Sequence, residues 1–209
     1  EVLVAGGSGD AVGEVNNKVV VDRAVMAACP CLRLICVAAT GTNNVDLGAA
    51  RERGITVSNV TGYATASVVQ HVFALILALT TRLAEHAAVA RDGRWAASDL
   101  FCVLDFPFRE LAGKVLGIVG WGELGQGVAR IAETFGMDVL IAQRPGGAPA
   151  AGRVRLGELL ARADVVSLHV PLADNTRGLI GARELALMKP DALLINTARG
   201  GIVDEAALM

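Results

Sequence analysis

Several features that point directly to a function class are scarce or missing in this 209-residue sequence. Nineteen Lys and Arg against 21 Asp and Glu leave a net charge of only −2, so the basic excess typical of nucleic-acid or acidic-membrane binding is absent. The four cysteines form no CxxC pair, and their spacing with the three histidines matches no zinc site. Composition therefore predicts no metal site, no nucleic-acid partner and a cytoplasmic location.

Long apolar runs are also missing. The longest, Phe73–Leu79, is bordered by Gln70 and His71 on one side and by Thr80 and Thr81 on the other. It falls far short of the roughly 18–20 apolar residues that a membrane-spanning helix needs. The run is typical of a buried helix, and no membrane partner is expected.

Glycine, by contrast, is abundant, with 24 of 209 residues in a chain that is 53% hydrophobic and only 4% aromatic. Short apolar runs alternate with helical patterns, which is typical of a parallel sheet covered by helices on both faces. The sequence therefore predicts an α/β fold, and Ser67 is the expected N-cap of its longest helix. Predicted strands cover Leu32–Ala39, Ile55–Val60, Val115–Gly120, Asp138–Gln143, Val165–Val170 and Ala192–Thr197, and predicted helices cover Val45–Arg53, Ala66–Arg91, Leu124–Phe135, Leu156–Ala163 and Leu185–Lys189.

The strongest local signal is a glycine motif. Gly120, Gly122 and Gly125 form a GxGxxG pattern that follows a predicted strand and opens a predicted helix, which is the context that dinucleotide binding requires. The first glycine of such a motif permits a tight turn, the second lets the backbone approach a pyrophosphate, and the third lets helix and strand pack closely. The helix N-terminus then offers free N–H groups to the phosphates. We expect NAD or NADP to bind here, and a merely tight strand–helix turn is the alternative.

The residues after the next predicted strand bear on the choice of cofactor. An Asp or Glu about 20 residues after the motif is typical of NAD binding, because the carboxylate accepts hydrogen bonds from the ribose. This chain has Gln143 and Arg144 there. A neutral side chain beside a cation removes the repulsion of a 2′-phosphate, so NADP is expected to be tolerated and NAD stays open. A solvated Arg144 is the alternative.

A second polar stretch follows the last predicted strand. Asn196, Thr197, Ala198 and Arg199 lead into paired glycines. Ligands of open parallel sheets bind outside the carboxyl ends of the strands, where an arginine can hold a carboxylate with two parallel hydrogen bonds. By composition alone, a solvated or salt-bridged arginine is the commoner case.

Taken together, these motifs resemble the D-2-hydroxyacid dehydrogenase family, and within it the glycerate dehydrogenase/hydroxypyruvate reductase branch. The resemblance runs from about Asn17 to Met209 and implies a chain that lacks N- and C-terminal parts of the family's sequence. It rests on segments in the family's order, namely 38–46 (AATGTNNVD), 59–63 (NVTGY), 111–114 (LAGK) leading into the glycine motif, 168–172 (LHVPL) and 196–201 (NTARGG).

The resemblance implies a role for each matching residue. Arg199 corresponds to the catalytic arginine that binds the substrate's carboxylate and polarises its carbonyl for hydride attack. Thr40 and Gly41 correspond to the loop whose backbone amides hold that carboxylate, with Thr40 also near the nicotinamide. The remaining cofactor-binding candidates are Gly120, Gly122, Glu123, Leu124, Gly125, Gln143, Arg144, Val170, Thr197 and Ala198. Arg144 is included because it follows Gln143 at the end of a predicted strand.

Domain organisation and reaction follow from the same resemblance. Residues 1–64 are expected to be part of a flavodoxin-like substrate-binding domain. Residues 65–209 are expected to be part of a Rossmann-type NAD(P)-binding domain, with a helix and arm at 66–110 that form a homodimer. The expected reaction is hydride transfer between NAD(P)H and a small 2-keto acid, hydroxypyruvate or glyoxylate, giving D-glycerate or glycolate. The alternatives are another D-2-hydroxyacid dehydrogenase and a non-catalytic cofactor-binding or dimerisation module.

Further expectations concern the ends of the chain. The family's proton-donating histidine and the glutamate that steadies it come after the position of Met209, so the chain alone is expected to be inactive. With segment 192–197 as a bare strand edge, it is also expected to be poorly soluble. His169 is expected to be buried or beside the cofactor rather than to replace the missing acid. Residues 1–15, which contain the glycine-rich segment 6–13, are interpreted as an irregular lead-in, with a second phosphate loop as the alternative.

Overall fold

The computed structural model describes residues 11–209, so most of the glycine-rich segment 6–13 lies outside the described residues. The chain divides into two compact units, Glu1–Ala64 and Thr65–Met209. Strands and helices alternate in both units, and every pair of strands is parallel. The α/β class predicted from the sequence is confirmed.

The first unit contains a three-stranded sheet whose strands follow one another in chain order. Between residues 11 and 64 both helices begin at an aspartate cap, because Asp22 accepts a hydrogen bond from the N–H of Val25 and Asp46 accepts one from the N–H of Ala49. Such caps satisfy amide groups that a helix start leaves free. Its elements are β1 (Gly13–Asn16), α1 (Arg23–Ala28), β2 (Leu34–Val37), α2 (Leu47–Glu52) and β3 (Thr56–Asn59).

The second unit contains a four-stranded sheet. The predicted strands of this unit are all present, each a little shorter than its apolar run. Its elements are α3 (Thr65–Thr80), α4 (Leu83–Arg91), β4 (Val115–Val119), α5 (Glu123–Thr134), β5 (Asp138–Ile141), α6 (Leu156–Arg162), β6 (Val165–Leu168), α7 (Ala182–Leu185), β7 (Leu193–Asn196), a 3-10 turn (Gly200–Ile202) and α8 (Glu205–Leu208).

The strand order in this unit is β5-β4-β6-β7, and an isolated bridge between Ala142 and Val154 extends the β5 side. The chain therefore winds outward in one direction from β4 to β5 and in the other from β6 to β7. The point where the winding reverses lies between the carboxyl ends of β4 and β6. Crevices at such reversal points are where open α/β sheets of the Rossmann type bind ligands.

Helices cover both faces of the four-stranded sheet. Buried side chains of α3 and α5 pack on one face, and those of α6 pack on the other. The α6 side approaches β4 so closely that a Cβ on Gly117 would lie 2.4 Å from Leu159 Cδ2. The sheet is thus held between two apolar layers, and its strand ends are left as the polar edges.

At the amino-terminal edge of this sheet, Asp164 joins three segments. Its carboxylate accepts hydrogen bonds from Lys189 Nζ and from the N–H of Val115, both at 2.8 Å. Burial by itself raises the pKa of this carboxyl, but the two hydrogen bonds and the positive charges of Lys189 and Lys114 together outweigh burial and hold the pKa of Asp164 below its usual range. The carboxylate stays ionised and ties the start of β4 to the start of β6 and to the segment before β7.

The prediction of a single long helix from Ala66 to Arg91 is wrong. α3 and α4 are separate and differ in direction by 65°, because Arg82 adopts a left-handed backbone conformation with φ of 53°. The hydroxyl of Thr81 donates to the carbonyl of Leu77 at 2.7 Å, a bond that competes with regular helix continuation. Ser67 lies inside α3 rather than at its cap.

The structure also bears on two further expectations, the position of a short helix and the absence of a membrane-spanning helix. The short helix predicted at Leu185–Lys189 lies earlier, at Ala182–Leu185. Within residues 11–209, no single helix is long and apolar enough to cross a membrane, although α3 and α4 taken as a bent pair meet the criteria of length and composition.

Candidate functional site

The turn after β4 is a point of close backbone approach in the second unit. Gly120 has φ of 107°, a conformation that side chains strongly disfavour. A Cβ at this position would lie 2.5 Å from the carbonyl oxygen of His169 and 3.0 Å from Val170 Cγ1. Gly120 therefore allows the end of β4 to contact the end of β6 directly, at the point where the winding of the sheet reverses.

The N-terminus of α5 follows immediately. Gly122 is its N-cap, no side chain in the described part of the chain caps it, and no described atom lies within 4 Å of a Cβ placed there. Gly125 is packed instead, because a Cβ on it would fall only 2.1 Å from the carbonyl oxygen of Gly120. The helix thus presents free N–H groups beside open space, which is the cradle that a pyrophosphate requires.

Glu123 places a carboxylate in the first turn of α5, next to the expected phosphate position. Its Oε1 accepts a hydrogen bond of 2.6 Å from the hydroxyl of Thr65 at the start of α3. A carboxylate favours a helix N-terminus but repels a phosphate. The Thr65 bond holds this charge toward α3, while the backbone amides of Glu123 and Leu124 belong to the first turn that faces the glycines.

The end of β5 carries the two residues expected to meet the adenosine ribose. The N–H of Gln143 donates to Val154 at 2.8 Å, and the carbonyl of Arg144 accepts from the N–H of Gly147 at 2.9 Å. Arg144 is exposed, and its guanidinium forms no ion pair with any residue in the range 11–209. A cation without an internal partner stands at the end of this strand.

The ends of β6 and β7 bring together further cofactor candidates. Val170 packs in the same apolar cluster as the half-buried Ala198. The side-chain oxygen of Thr197 and the Nδ1 of His169 are both fully buried and have no hydrogen-bond partner among the described residues. His169 Nε2 lies 2.9 Å from Ser167 Oγ. Burial lowers the pKa of His169 to about 4, so its ring is neutral at neutral pH.

Arg199 lies on a loop that Asn196 holds in place. Asn196 Oδ1 accepts from the N–H of Ala198 at 3.1 Å, and Asn196 Nδ2 donates to the carbonyl of Arg199 at 2.7 Å. The guanidinium is exposed and donates only to the carbonyl of Ala198, at 2.8 Å, with no acidic partner in the described part of the chain. An ordered backbone and an uncompensated cation suit the binding of a carboxylate.

Thr40 and Gly41 lie in the first unit, at the carboxyl end of β2. The hydroxyl of Thr40 donates to the carbonyl of Val60 at 2.8 Å, and Asn59 Nδ2 donates to the carbonyl of Thr40 at 2.7 Å. These bonds fix the loop to the end of β3. The N–H groups of Thr40 and Gly41 donate to no residue within 11–209, which leaves them free for an anion.

The structure thus gathers the candidates of the second unit at the carboxyl edge of its sheet, and the residues present fit a dinucleotide. The open space at Gly122 and the unpartnered buried atoms of His169 and Thr197 are the observations that carry this fit. The sequence did not predict that Thr65 contacts Glu123 or that Ser167 contacts His169, because no local sequence pattern indicates such contacts. It also did not predict the contacts of Asn196, although an Asn before a turn is a known signal for side-chain-to-backbone bonds.

Among residues 11–209, no group of three or more His, Cys, Asp or Glu side chains is placed to hold a metal ion. All four cysteines are free thiols.

Comparison with known proteins identifies the family to which this chain belongs. A family model described as "D-isomer specific 2-hydroxyacid dehydrogenase, NAD binding domain" matches residues 73–209. A glycerate dehydrogenase from Methylorubrum extorquens is 46% identical over 193 residues, which cover 92% of this chain and 60% of the relative. The chain spans about three fifths of the length of the curated relatives it matches.

Solved structures agree with this assignment. An acyclic imino acid reductase in complex with NADPH and D-Arg superposes with a TM-score of 0.86 at 29% identity, over 96% of this chain and 64% of that one. A D-lactate dehydrogenase from Aquifex aeolicus complexed with NAD and lactic acid gives a TM-score of 0.84 at 32% identity, over 96% and 60%. The 73–209 region is an NAD-binding domain; of the two neighbours, one is complexed with NADPH and the other with NAD.

At the start of α5, adding one methyl group is expected to have different effects at Gly125 and at Gly122. Gly125→Ala forces a Cβ into the carbonyl of Gly120 and is expected to destabilise the protein by about 1–3 kcal/mol. Gly122→Ala meets no atom and has an ordinary φ of −86°, so stability is retained. Its methyl group fills the space that a phosphate needs, and NADH affinity is expected to fall about tenfold or more.

Urea unfolding and isothermal titration with NADH measure the two effects separately. A Gly122→Ala variant that binds NADH as tightly as the parent protein contradicts the placement of the pyrophosphate at this helix.

Proposed function

The chain belongs to the D-isomer specific 2-hydroxyacid dehydrogenase family, and on that premise we propose that the protein reduces a small 2-keto acid with NAD(P)H. The preferred substrates are hydroxypyruvate and glyoxylate, with D-glycerate and glycolate as products. The observation that carries the proposal is the uncompensated Arg199, held on an ordered loop at the edge that bears the glycine cradle. The name of the M. extorquens relative supports the choice of substrate.

Arg199 supplies two functions in this proposal. Its forked N–H donors bind the carboxylate of the substrate in a bidentate manner. The same positive charge stabilises the negative charge that develops on the carbonyl oxygen during reduction. When bound, the reduced nicotinamide would supply the hydride, and a general acid would supply the proton that converts the carbonyl oxygen to a hydroxyl. Asn196 contributes by fixing the backbone on both sides of Ala198, so that the guanidinium is presented from a rigid strand end.

Thr40 and Gly41 are proposed to bind a substrate carboxylate through their free N–H groups. The contacts of Thr40 with Val60 and Asn59 keep those groups oriented. In this proposal residues 1–64 form part of the substrate-binding domain and residues 65–209 part of the cofactor-binding domain. The protein acts in the cytoplasm.

We propose that the protein accepts NADP as a cofactor. Gln143 carries no charge that repels a 2′-phosphate, and Arg144 offers a cation with no acidic partner among the described residues. An arginine pairs well with a phosphate because its planar donors match two oxygens.

A homodimer is proposed to form through the arm after α4. Five large apolar side chains of this arm are 51–96% exposed, a clustering that is typical of an interaction surface. They are Trp95, Leu100, Phe101, Leu104 and Phe108. A second copy of the chain is the occupant to which we commit, in line with the position of this segment in the family.

Arg199→Lys tests the proposed activity. Lysine keeps the charge but loses the forked geometry, so kcat/KM for hydroxypyruvate is expected to fall about 100-fold or more. Initial rates of NADH and NADPH oxidation with hydroxypyruvate, glyoxylate and pyruvate measure this in the intact protein. Arg183→Lys, on the exposed α7, is the matched control and is expected to leave the rate unchanged. Cofactor binding without turnover of any 2-keto acid supports the non-catalytic alternative instead.

Arg144→Ala tests the cofactor assignment. Loss of one charged hydrogen-bonding partner is expected to weaken NADPH binding about tenfold. NADH binding serves as the control and is expected to stay unchanged, because NADH lacks the 2′-phosphate. Titrations monitored by nicotinamide fluorescence measure both. Equal weakening of the two cofactors shows that Arg144 does not contact the 2′-phosphate.

The double variant Phe101→Ser/Leu104→Ser tests the dimer. Removing two exposed apolar anchors is expected to convert a dimer to a monomer in sedimentation velocity experiments, because such anchors dominate interface energies. Leu47→Ser, at an exposed apolar position outside the arm, is the control and is expected to sediment like the parent protein. A parent protein that sediments as a monomer overturns this proposal.

A further inference from the structure

One residue of the second unit has a backbone conformation that side chains disfavour. Among residues 11–209, Arg82 is the one residue other than glycine with a positive φ, 53°. It stands immediately before α4 and makes no side-chain cap to that helix. Backbone strain of this kind persists where surrounding contacts hold it, and it is concentrated at clamps and switch regions. The contacts of Arg82 therefore indicate what the strained turn does.

Phe106 is the residue that Arg82 contacts. Arg82 Cζ lies 5.5 Å from the centroid of the Phe106 ring, within the range of a cation–π interaction. His86 meets the same ring edge-to-face, with the two centroids 5.8 Å apart and the ring planes at 84°, which is a favoured aromatic geometry. Both contacts come from the start of α4, where the N–H of His86 donates to the carbonyl of Arg82 at 3.1 Å.

Two hydrogen bonds hold these side chains in place. His86 Nε2 lies 3.1 Å from the carbonyl oxygen of Phe106, and because a carbonyl oxygen can only accept, the imidazole donates through Nε2. Arg82 Nε donates to Glu85 Oε1 at 2.6 Å, so the guanidinium above the Phe106 ring is also fixed from α4. The cluster of Arg82, His86 and Phe106 is therefore held by directional contacts as well as by packing.

Phe106 belongs to the arm after α4, in the segment 92–109. The five large apolar side chains of this arm described above are exposed, whereas Phe106 is half-buried. A second tie follows it closely, because the N–H of Arg109 donates to the carbonyl of Thr80, the last residue of α3, at 2.9 Å. The guanidinium of Arg109 also pairs with Asp191 at 2.7 Å. The returning end of the arm is thus fastened at the break between α3 and α4.

We propose that Arg82, His86 and Phe106 form a latch that sets the conformation of the arm and so presents its exposed apolar side chains in one arrangement to a second copy of the chain. The inference rests on the proposed homodimer. A surface ordered in advance binds more tightly, because less conformational freedom is lost on association. The three latch residues are positioning residues, and the strained turn at Arg82 supplies one of them.

Arg82→Gly separates the side chain from the strained backbone. Glycine adopts a positive φ without strain, so this variant keeps the turn and removes only the cation above the Phe106 ring. We expect the backbone amides of the arm, residues 95–108, to exchange hydrogen for deuterium about 2- to 5-fold faster than in the parent protein, the loss of one exposed cation–π contact. Hydrogen–deuterium exchange of the intact protein, followed by mass spectrometry, measures this.

Substitutions at the other two positions separate the hydrogen bond from packing. His86→Leu keeps an apolar body without a donor, whereas His86→Gln keeps an N–H donor near the position of Nε2. Phe106→Leu removes the ring and stays apolar. His86→Leu and Phe106→Leu are each expected to speed exchange in the arm about 3- to 10-fold. His86→Gln is expected to restore part of the protection, which a role in packing alone does not predict.

Phe135→Leu is the matched control for the loss of an aromatic contact. The ring of Phe135 stacks on Phe73 at a centroid distance of 5.5 Å, outside the arm, and its replacement is expected to leave exchange in the arm unchanged. The amides of β4 to β7 serve as the internal control in every variant. Their protection is expected to match that of the parent protein, and equal losses in these strands and in the arm overturn the latch.

Sedimentation velocity experiments distinguish the latch from the dimer. The latch variants keep the exposed apolar side chains of the arm and are expected to dimerise about 3- to 10-fold more weakly than the parent protein. Variants whose arm exchanges like that of the parent protein overturn the latch. Faster exchange with unchanged dimer affinity overturns its role in dimerisation. A parent protein that sediments as a monomer overturns the proposed homodimer itself.

Discussion

The direct contact between the carboxyl ends of β4 and β6 is the constraint on which the second unit depends. At Gly120 the backbone turns with φ of 107°, and a Cβ would collide with the carbonyl of His169. Any side chain here must push the two strands apart at the point where the winding of the sheet reverses. Because the reversal point is also where a ligand crevice forms, the same contact determines the geometry of the site.

Neighbouring glycines allow the helices α5 and α6 to pack equally closely around this contact. Gly125 lets α5 lie on the carbonyl of Gly120, and Gly117 lets α6 lie on β4. Each position gives up side-chain burial and costs backbone entropy, and the apolar layers on both faces of the sheet offset that cost. The consequence for function is a rigid helix start beside a rigid strand end, which suits a site that must hold a long ligand in one register.

Much of this arrangement is predictable from sequence because it is local. The motif from Gly120 to Gly125 carries its turn, its helix start and its packing within six residues, and apolar runs locate the strands. The break at Arg82 is not predictable in the same way, because the apolar pattern continues across it and threonine hydroxyls that bond to backbone carbonyls accompany the end of α3. The Thr65–Glu123 bond joins residues 58 positions apart, and only the folded chain shows it. Residues of this kind position the site without belonging to any motif.

The two edges of the four-stranded sheet differ in how their polar groups are satisfied, and the difference separates structure from function. At the amino-terminal edge, Asp164 pairs with Lys189 and Asp191 pairs with Arg109, both within 2.8 Å. At the carboxyl-terminal edge, His169 and Thr197 keep unpartnered buried atoms among the described residues, and Arg199 has no acidic partner there. Folding alone disfavours buried polar atoms without a partner, because they lose their hydrogen bonds to water and gain none in return. The buried unpaired atoms at the carboxyl-terminal edge therefore carry a cost that folding does not explain, and they lie in the region that the family model matches as an NAD-binding domain.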